Sequence, residues 1–318
     1  MENIRVSVIC NAFNHAPYIR DALEGFVMQK TTFPFEVLIH DDASADGTAE
    51  IIREYEEKYP DLIKPIYQTE NQYSKGVKIA KTYQIPRAKG DYVAYCEGDD
   101  YWTDENKLQK QFDALEAHPE IDICAHGAKR ITPNSSKQLK DCAPAKNDKV
   151  FSPEEVIRGG GGFVATASLF FRTKLLKEMP PFRAFLMLDY TLQIHGSLRG
   201  GLLYLKDIMS VYRYHVPGSW TMTHIKSDEK QTQHFHQKMQ MFALLDEDTN
   251  GKYKTAVEHC KLQTEMSHYI SMGQPKKAMD PKFKSIRRSY PLLWNLKLRI
   301  KVLSPLLTKA LRNHHKNS

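Results

Sequence analysis

Up to about residue 130, short apolar runs rich in β-branched side chains alternate with stretches whose apolar positions repeat at helical spacing. Such alternation predicts βα units and a largely parallel sheet. Arg5–Asn11 reads as the first strand. Pro17 then opens a helix with Tyr18, Ala22, Leu23, Phe26 and Val27 on one side; proline suits a first turn because its missing amide has no helical partner there. Phe35–His40 is nearly continuous in apolar character, as expected of a strand covered on both faces. A loop at Asp41–Asp46 leads to a helix over Thr48–Tyr59, with Asp46 or Ser44 as its cap. Leu62–Tyr67 is a third strand, Gly76–Ala88 a weaker helical pattern, Tyr92–Cys96 a strong strand, Thr103–His118 a helix and Ile121–His126 a further strand.

From Thr132 to Asn147 the composition turns polar, which predicts a mobile loop. Gly159–Gly162 leads into an apolar run, Phe163–Phe171, read as a strand. Asp189 opens a short helix through Leu198, and Leu202–Leu205 and Ile208–Tyr214 close the domain as strands. Beyond Trp220 the chain is helical and polar, including Glu229–His268. The expected organisation is an α/β domain over 1–220 and a helical, basic extension over 221–318.

A chain of 318 residues, 41% hydrophobic, can bury a full core. No window approaches the roughly 18 apolar residues that span a bilayer, and the first residues lack the pattern of a secretory signal. The expected location is cytoplasmic. The five cysteines are odd in number and in no CxxC or Cys/His spacing, so neither a disulfide framework nor a zinc site is indicated; Cys10, Cys96 and Cys124 sit in apolar runs and read as core thiols. The net charge of +7 belongs to the tail: residues 281–318 hold ten Lys or Arg and no acid, leaving 35 basic against 38 acidic residues in 1–280. That distribution argues against nucleic acid as a partner of the main domain.

Two acidic clusters each follow an apolar strand: Asp41-Asp42-Ala43-Ser44-Ala45-Asp46-Gly47, and Glu97-Gly98-Asp99-Asp100-Tyr101-Trp102. In an open α/β sheet, ligands collect at the carboxyl ends of the strands, which puts both clusters on one rim. Turns and caps use the same residue types. Carboxylates gathered this densely repel one another unless a cation or hydrogen-bond donors compensate, and all-oxygen sites suit Mg²⁺ or Mn²⁺. No GxGxxG follows the first strand, and there is no GxSxG or HExxH, so dinucleotide-binding and hydrolase readings lack their motifs. Gly159–Gly162 lacks a following Gly-Lys-Ser/Thr and reads as a flexible loop; Thr166 and Ser168 beyond it face either a ligand or the core.

The order Val6-Ser7-Val8-Ile9, Asn14, Asp41-Asp42-Ala43-Ser44-Ala45-Asp46-Gly47-Thr48, Gly90-Asp91-Tyr92-Val93 and Glu97-Gly98-Asp99-Asp100-Tyr101-Trp102 resembles family 2 glycosyltransferases of the GT-A fold, over roughly residues 4–215. The resemblance extends to bacterial capsule and lipopolysaccharide transferases, and implies a nucleotide-sugar donor, usually a uridine diphosphate sugar, and a saccharide or lipid-linked saccharide acceptor. By it, Asp42 accepts a hydrogen bond from the base, Asp41 shapes the loop, and Asp99 holds Mg²⁺ or Mn²⁺. The family's Asp-x-Asp stands here as Glu97-Gly98-Asp99, so whether Glu97 meets the ion, a water or the sugar stays open; Asp100 is a further acidic neighbour. Asp189 stands where the family carries its catalytic acid and is the candidate base of an inverting transfer, a helix-start carboxylate being the other reading. Tyr212-Arg213-Tyr214-His215 with Gly218-Ser219-Trp220 resembles the closing segment, which brings Arg213 or His215 to the diphosphate or, for His215, the metal. Lys75 and Arg87 either help neutralise the donor or are solvated charges. A non-catalytic nucleotide-sugar or saccharide-binding protein is the alternative.

In the tail, Ile286, Leu292, Leu293, Trp294, Leu296, Leu298 and Ile300 interleave with Arg287, Arg288, Lys297, Arg299 and Lys301; Pro291 and Pro305 bracket a helix over Leu292–Ser304. A basic amphipathic segment with Trp suits an anionic membrane surface, which would place 285–312 peripherally on the inner face of the plasma membrane. Packing on the transferase domain is the competing expectation.

Overall fold

The structure is a computed structural model that describes residues 3–133, 139–219, 222 and 227–303. They form two compact units: one holds the chain to Met179 and Leu192–Tyr214, the other Pro180–Thr191 and the chain from His215 on.

The first unit is a nine-stranded sheet with helices. Its elements are β1 (Val6–Ala12), α1 (Ile19–Val27), β2 (Phe35–Asp41), α2 (Thr48–Lys58), β3 (Ile63–Tyr67), β4 (Tyr92–Tyr95), β5 (Tyr101–Trp102), α3 (Lys107–Glu116), β6 (Ile123–Ile131), β7 (Lys149–Phe151), α4 (Pro153–Gly159), β8 (Phe170–Arg172) and β9 (Leu202–Arg213). The strand order is β3-β2-β1-β4-β8-β6-β9-β5, with β7 also paired to β9. Strands β1 to β4 are mutually parallel; β8 opposes both β4 and β6, and β9 runs parallel to β6. The sheet is thus mostly parallel in direction, with β5, β7 and β8 reversed. Of the predicted inward side of α1, Ala22, Leu23 and Phe26 are fully buried while Tyr18 and Val27 are only partly so; Ile19, outside that prediction, is buried with them, and all four join Val6, Val8, Val37, Ile39, Tyr92 and Trp102 in one core.

A buried network fixes the starting ends of the central strands. Ser7 Oγ donates to Glu36 Oε1 (2.8 Å) and accepts from Gly90 N (2.9 Å), while Lys89 N donates to the same Glu36 oxygen (2.9 Å). A Cβ on residue 90 would stand 2.5 Å from Ser7 N and 2.7 Å from the Val6 carbonyl carbon, both backbone atoms that cannot swing away. Gly90→Ala is therefore expected to push β4 off β1 and destabilise the protein by about 3 kcal/mol or more, read as a lower urea midpoint.

Besides β5, β7 and α4, which the apolar pattern does not predict, three predicted elements depart from the sequence reading. Of the run Phe163–Phe171 only Phe170 and Phe171 are strand, because a 3₁₀ turn precedes them: Ser168 N and Ser168 Oγ both donate to Ala165 O (2.9 and 2.6 Å), and Trp102 Nε1 donates to Ala167 O (2.9 Å). A serine hydroxyl competing for nearby carbonyls is what diverts the chain. The pair Leu202–Leu205 and Ile208–Tyr214 is one strand, β9, whose register against β6 shifts around Gly127, a bulge that absorbs the polar Lys206 and Asp207. Gly76–Ala88 is broken into short turns, Ala80–Gln84 and Ile85–Arg87, with Pro86 in the second. Of the polar stretch Thr132–Asn147, residues 134–138 lie outside the described set, and Cys142 bridges to Ala128 of β6. All five cysteines are free and buried.

In the second unit the helices Asp228–Asp248 and Lys254–Ser271 pack together, followed by Lys284–Ser289 and Leu292–Leu303. Among the described residues no helix is long and apolar enough to cross a membrane.

Candidate active site

Strand β1 ends between β2 and β4, and the two acidic clusters are built on its last residues. Asp42 N donates to Ala12 O, and Gly98 N to Asn11 O, both at 2.9 Å. Since neighbouring strands lie ~4.8 Å apart, the clusters leave the sheet about 10 Å from each other.

Side chains lace the loops together. Asn14, in a left-handed conformation (φ 55°), accepts from Ala45 N through Oδ1 (3.0 Å), and its own N–H donates to Ser44 Oγ (2.9 Å). His15 N donates to Thr48 Oγ1 (2.8 Å) and Ala16 N to Asp46 Oδ2 (3.0 Å). Asp46 Oδ1 also accepts from Thr48 N (3.1 Å), which satisfies an amide at the start of α2. On the other side, a Cβ at Gly98 would sit 2.9 Å from both His15 Nδ1 and Ile19 Cδ1, so the second cluster presses on the same loop.

His15, which sequence reasoning missed, is the residue on which the clusters meet. Burial lowers its pKa, while Asp99 from one cluster and Asp46 and Asp41 from the other pull it up. Its Nδ1 is buried with no hydrogen-bond partner among the described residues. The thiol of Cys10 on β1 is pushed well up by burial and then by Glu97, Asp99 and Asp100. Carboxylates of both clusters thus bear on the end of β1, with the Arg213 charge acting on His15 in the opposite sense.

The predicted site residues take distinct positions. Asp41 is buried; Oδ2 accepts from Ser44 N (3.2 Å), Oδ1 has no partner among the described residues, and burial raises its pKa. Asp42 accepts from Gln72 N (2.8 Å) and Tyr73 N (3.0 Å), one amide to each oxygen, which anchors the turn beside it and leaves a lone pair on each for a ligand. Glu97 is half-buried, with Asn11 Nδ2 at 3.4 Å. Asp99 is half-buried, and no side chain or amide of the described residues donates to its carboxylate; its carbonyl accepts from Arg213 Nη1 (2.9 Å). Asp100 turns inward and accepts from Arg213 N (2.8 Å), its pKa raised first by burial and then by Asp99. Arg213 is nearly buried, pairs with Asp21 of α1 and lies over the Tyr101 and Tyr18 rings (4.5 and 5.2 Å). Its guanidinium therefore braces β9, α1 and the Glu97–Asp100 turn. Arg213→Ala is expected to cost about 2–3 kcal/mol through the lost charged hydrogen bonds, with Arg213→Lys recovering little because one ammonium cannot span these partners; denaturant midpoints measure both.

Glu97 and Asp99, two carboxylates on one pinned turn, offer the all-oxygen donor chemistry that suits a hard divalent ion. No group of three or more His, Cys, Asp or Glu among the described residues is placed to hold an ion alone. Asp189 and His215 belong to the second unit. Asp189 is the first residue of the helix Asp189–Ser197, and its Oδ1 accepts from Tyr190 N (2.7 Å); His215 follows β9 in a left-handed conformation (φ 65°). Lys75 pairs with Glu70, Arg87 donates to Lys64 O, and Trp220 lies outside the described residues.

A mostly parallel sheet flanked by helices, with acidic loops at the carboxyl ends of β2 and β4, defines a GT-A glycosyltransferase fold. The chain belongs to glycosyl transferase family 2, whose model matches residues 7–179, more than half its length. Over 215 residues it is 36% identical to an uncharacterized protein of Mycobacterium tuberculosis, covering 68% of this chain and 60% of that one. The chain thus spans 60% of that relative's length. It is 37% identical over 110 residues to the putative teichuronic acid biosynthesis glycosyltransferase TuaG of Bacillus subtilis, covering 35% of this chain and 41% of that one. Among solved structures, TarS 1-349 of S. aureus in complex with UDP-GlcNAc superposes with a TM-score of 0.63 at 18% identity, covering 88% of this chain and 78% of that one.

Proposed function

We propose that this protein moves a sugar, with inversion, from a nucleoside diphosphate sugar to a saccharide or lipid-linked saccharide hydroxyl in surface polysaccharide assembly, with a uridine diphosphate sugar as the donor. The observation that carries this reading is the meeting of both acidic clusters at the end of β1, where His15 lies within the field of Asp41, Asp46 and Asp99. The UDP-GlcNAc held by the TarS structure and the polymer named for TuaG support donor and setting.

Asp42 would receive the base from a loop its carboxylate already organises. Asp99, with Glu97, would hold Mg²⁺ or Mn²⁺, which when bound neutralises the diphosphate as it leaves. Asp189 would take the proton from the acceptor hydroxyl as its oxygen bonds to the anomeric carbon and the bond to the diphosphate oxygen breaks. His215 would approach the diphosphate or the ion, while Arg213 and Asp100 would serve the site from behind, by holding the Glu97–Asp100 turn in place.

The test is a thermal-shift screen of uridine, guanosine, cytidine and thymidine diphosphate sugars with Mn²⁺, followed by release of nucleoside diphosphate from the best binder, with and without saccharide acceptors. One donor is expected to raise the melting temperature only with the ion, and to be turned over. Stabilisation by a donor with no turnover, even slow hydrolysis, would leave a binding protein instead.

A further inference from the structure

The helix Leu292–Leu303 has two apolar faces, and its fold accounts for only one. Leu298 is buried with Met266, Ala278, Phe283 and Ile286, and Trp294 packs on the same cluster. Leu292, Leu293, Leu296, Ile300 and Leu303 are exposed, from 47% for Ile300 to 89% for Leu292. At about 100° per residue, these five fall within an arc of roughly 100°, with Trp294 and Leu298 on the opposite side. Arg299 lies just beyond one edge of the arc and Lys297 beyond the other, both exposed.

From this we infer that the face Leu292, Leu293, Leu296, Ile300 and Leu303 seats the protein on an anionic lipid surface, lying in the interface with Lys297 and Arg299 at the level of the phosphates. An exposed apolar arc flanked by cations, on a helix whose other side is tied into the fold, is the form of an interfacial helix. Charge selects the occupant. Residues 281–318 carry no acidic side chain, so a second copy meeting this face would set Lys297 and Arg299 against like charges, whereas lipid phosphates compensate them. Of the predicted membrane segment 285–312, residues 304–312 lie outside the described set, and the inference rests on 292–303. It holds whichever sugar is moved.

The test is co-sedimentation of the full chain with vesicles of phosphatidylcholine alone, or mixed equally with phosphatidylglycerol. Binding is expected only to the mixed vesicles, and is weakened by salt. The combined variant Leu292→Ser, Leu296→Ser and Ile300→Ser should bind at least a hundred-fold less. Lys297→Glu with Arg299→Glu should lower binding roughly thirty-fold or more. Circular dichroism checks that each variant is folded, and the charge-reversal pair keeps the test decisive if the serine variant is not. Equal binding to neutral vesicles, binding unchanged by the charge reversal, or a dimer that the serine substitutions convert to monomer without any vesicle binding would each overturn the inference.

Discussion

Asp99→Ala is expected to lower metal-dependent turnover by roughly three orders of magnitude or more while leaving the unfolding midpoint within about 0.5 kcal/mol of the parent. The two halves of this expectation have separate causes. The carboxylate of Asp99 accepts no hydrogen bond from the described residues, so its removal breaks nothing in the fold; what holds the turn is the Asp99 carbonyl on Arg213 and the Asp100 carboxylate on the Arg213 amide, and both survive the substitution. Functionally, the loss removes the ligand least engaged by the protein and most available to an ion. Steady-state rates over a Mn²⁺ titration and urea unfolding of the same preparation measure both. A midpoint that fell with activity would make Asp99 a structural carboxylate.

Asp189→Asn should bind donor as tightly as the parent and transfer sugar about 10²–10⁴ times more slowly, the usual contribution of a positioned base. Asparagine keeps an oxygen that can accept from Tyr190 N at the helix start. It cannot take a proton from an attacking hydroxyl. Thermal shift with donor gives the binding half, and product formation with a saccharide acceptor gives the catalytic half. Unchanged transfer would remove Asp189 from the chemistry and leave it as a carboxylate favoured by the helix dipole.

Both carboxylate clusters were legible in the sequence because each follows a run whose apolar character already marks a buried strand, Phe35–Asp41 and Tyr92–Tyr95. Parallel strand direction then puts their ends on one rim. What the sequence could not show is pairing at long range. Arg213 reads as a cation near the diphosphate, and its pairing with Asp21, 192 positions away, and with the carbonyl of Asp99 is visible only in the fold. His15 carries no motif; only the packing of Gly98 against its ring puts it between the clusters. The run Phe163–Phe171 is as apolar as any strand, and the hydroxyl of Ser168 turning back to Ala165 is invisible to periodicity. In the tail, membrane and packing readings competed for one set of apolar residues; Leu298 and Trp294 pack inward while the face bearing Leu292 and Leu296 is left exposed.

The most direct measurement is the anomalous signal of Mn²⁺ in a crystal grown with the nucleoside diphosphate that the thermal-shift screen selects. The ion is expected against Asp99 and the Glu97 turn, with the base at Asp42 and the diphosphate spanning the end of β1 between them. A nucleotide bound away from the end of β1, or an ion held elsewhere with Asp42 and Asp99 both untouched, would contradict it.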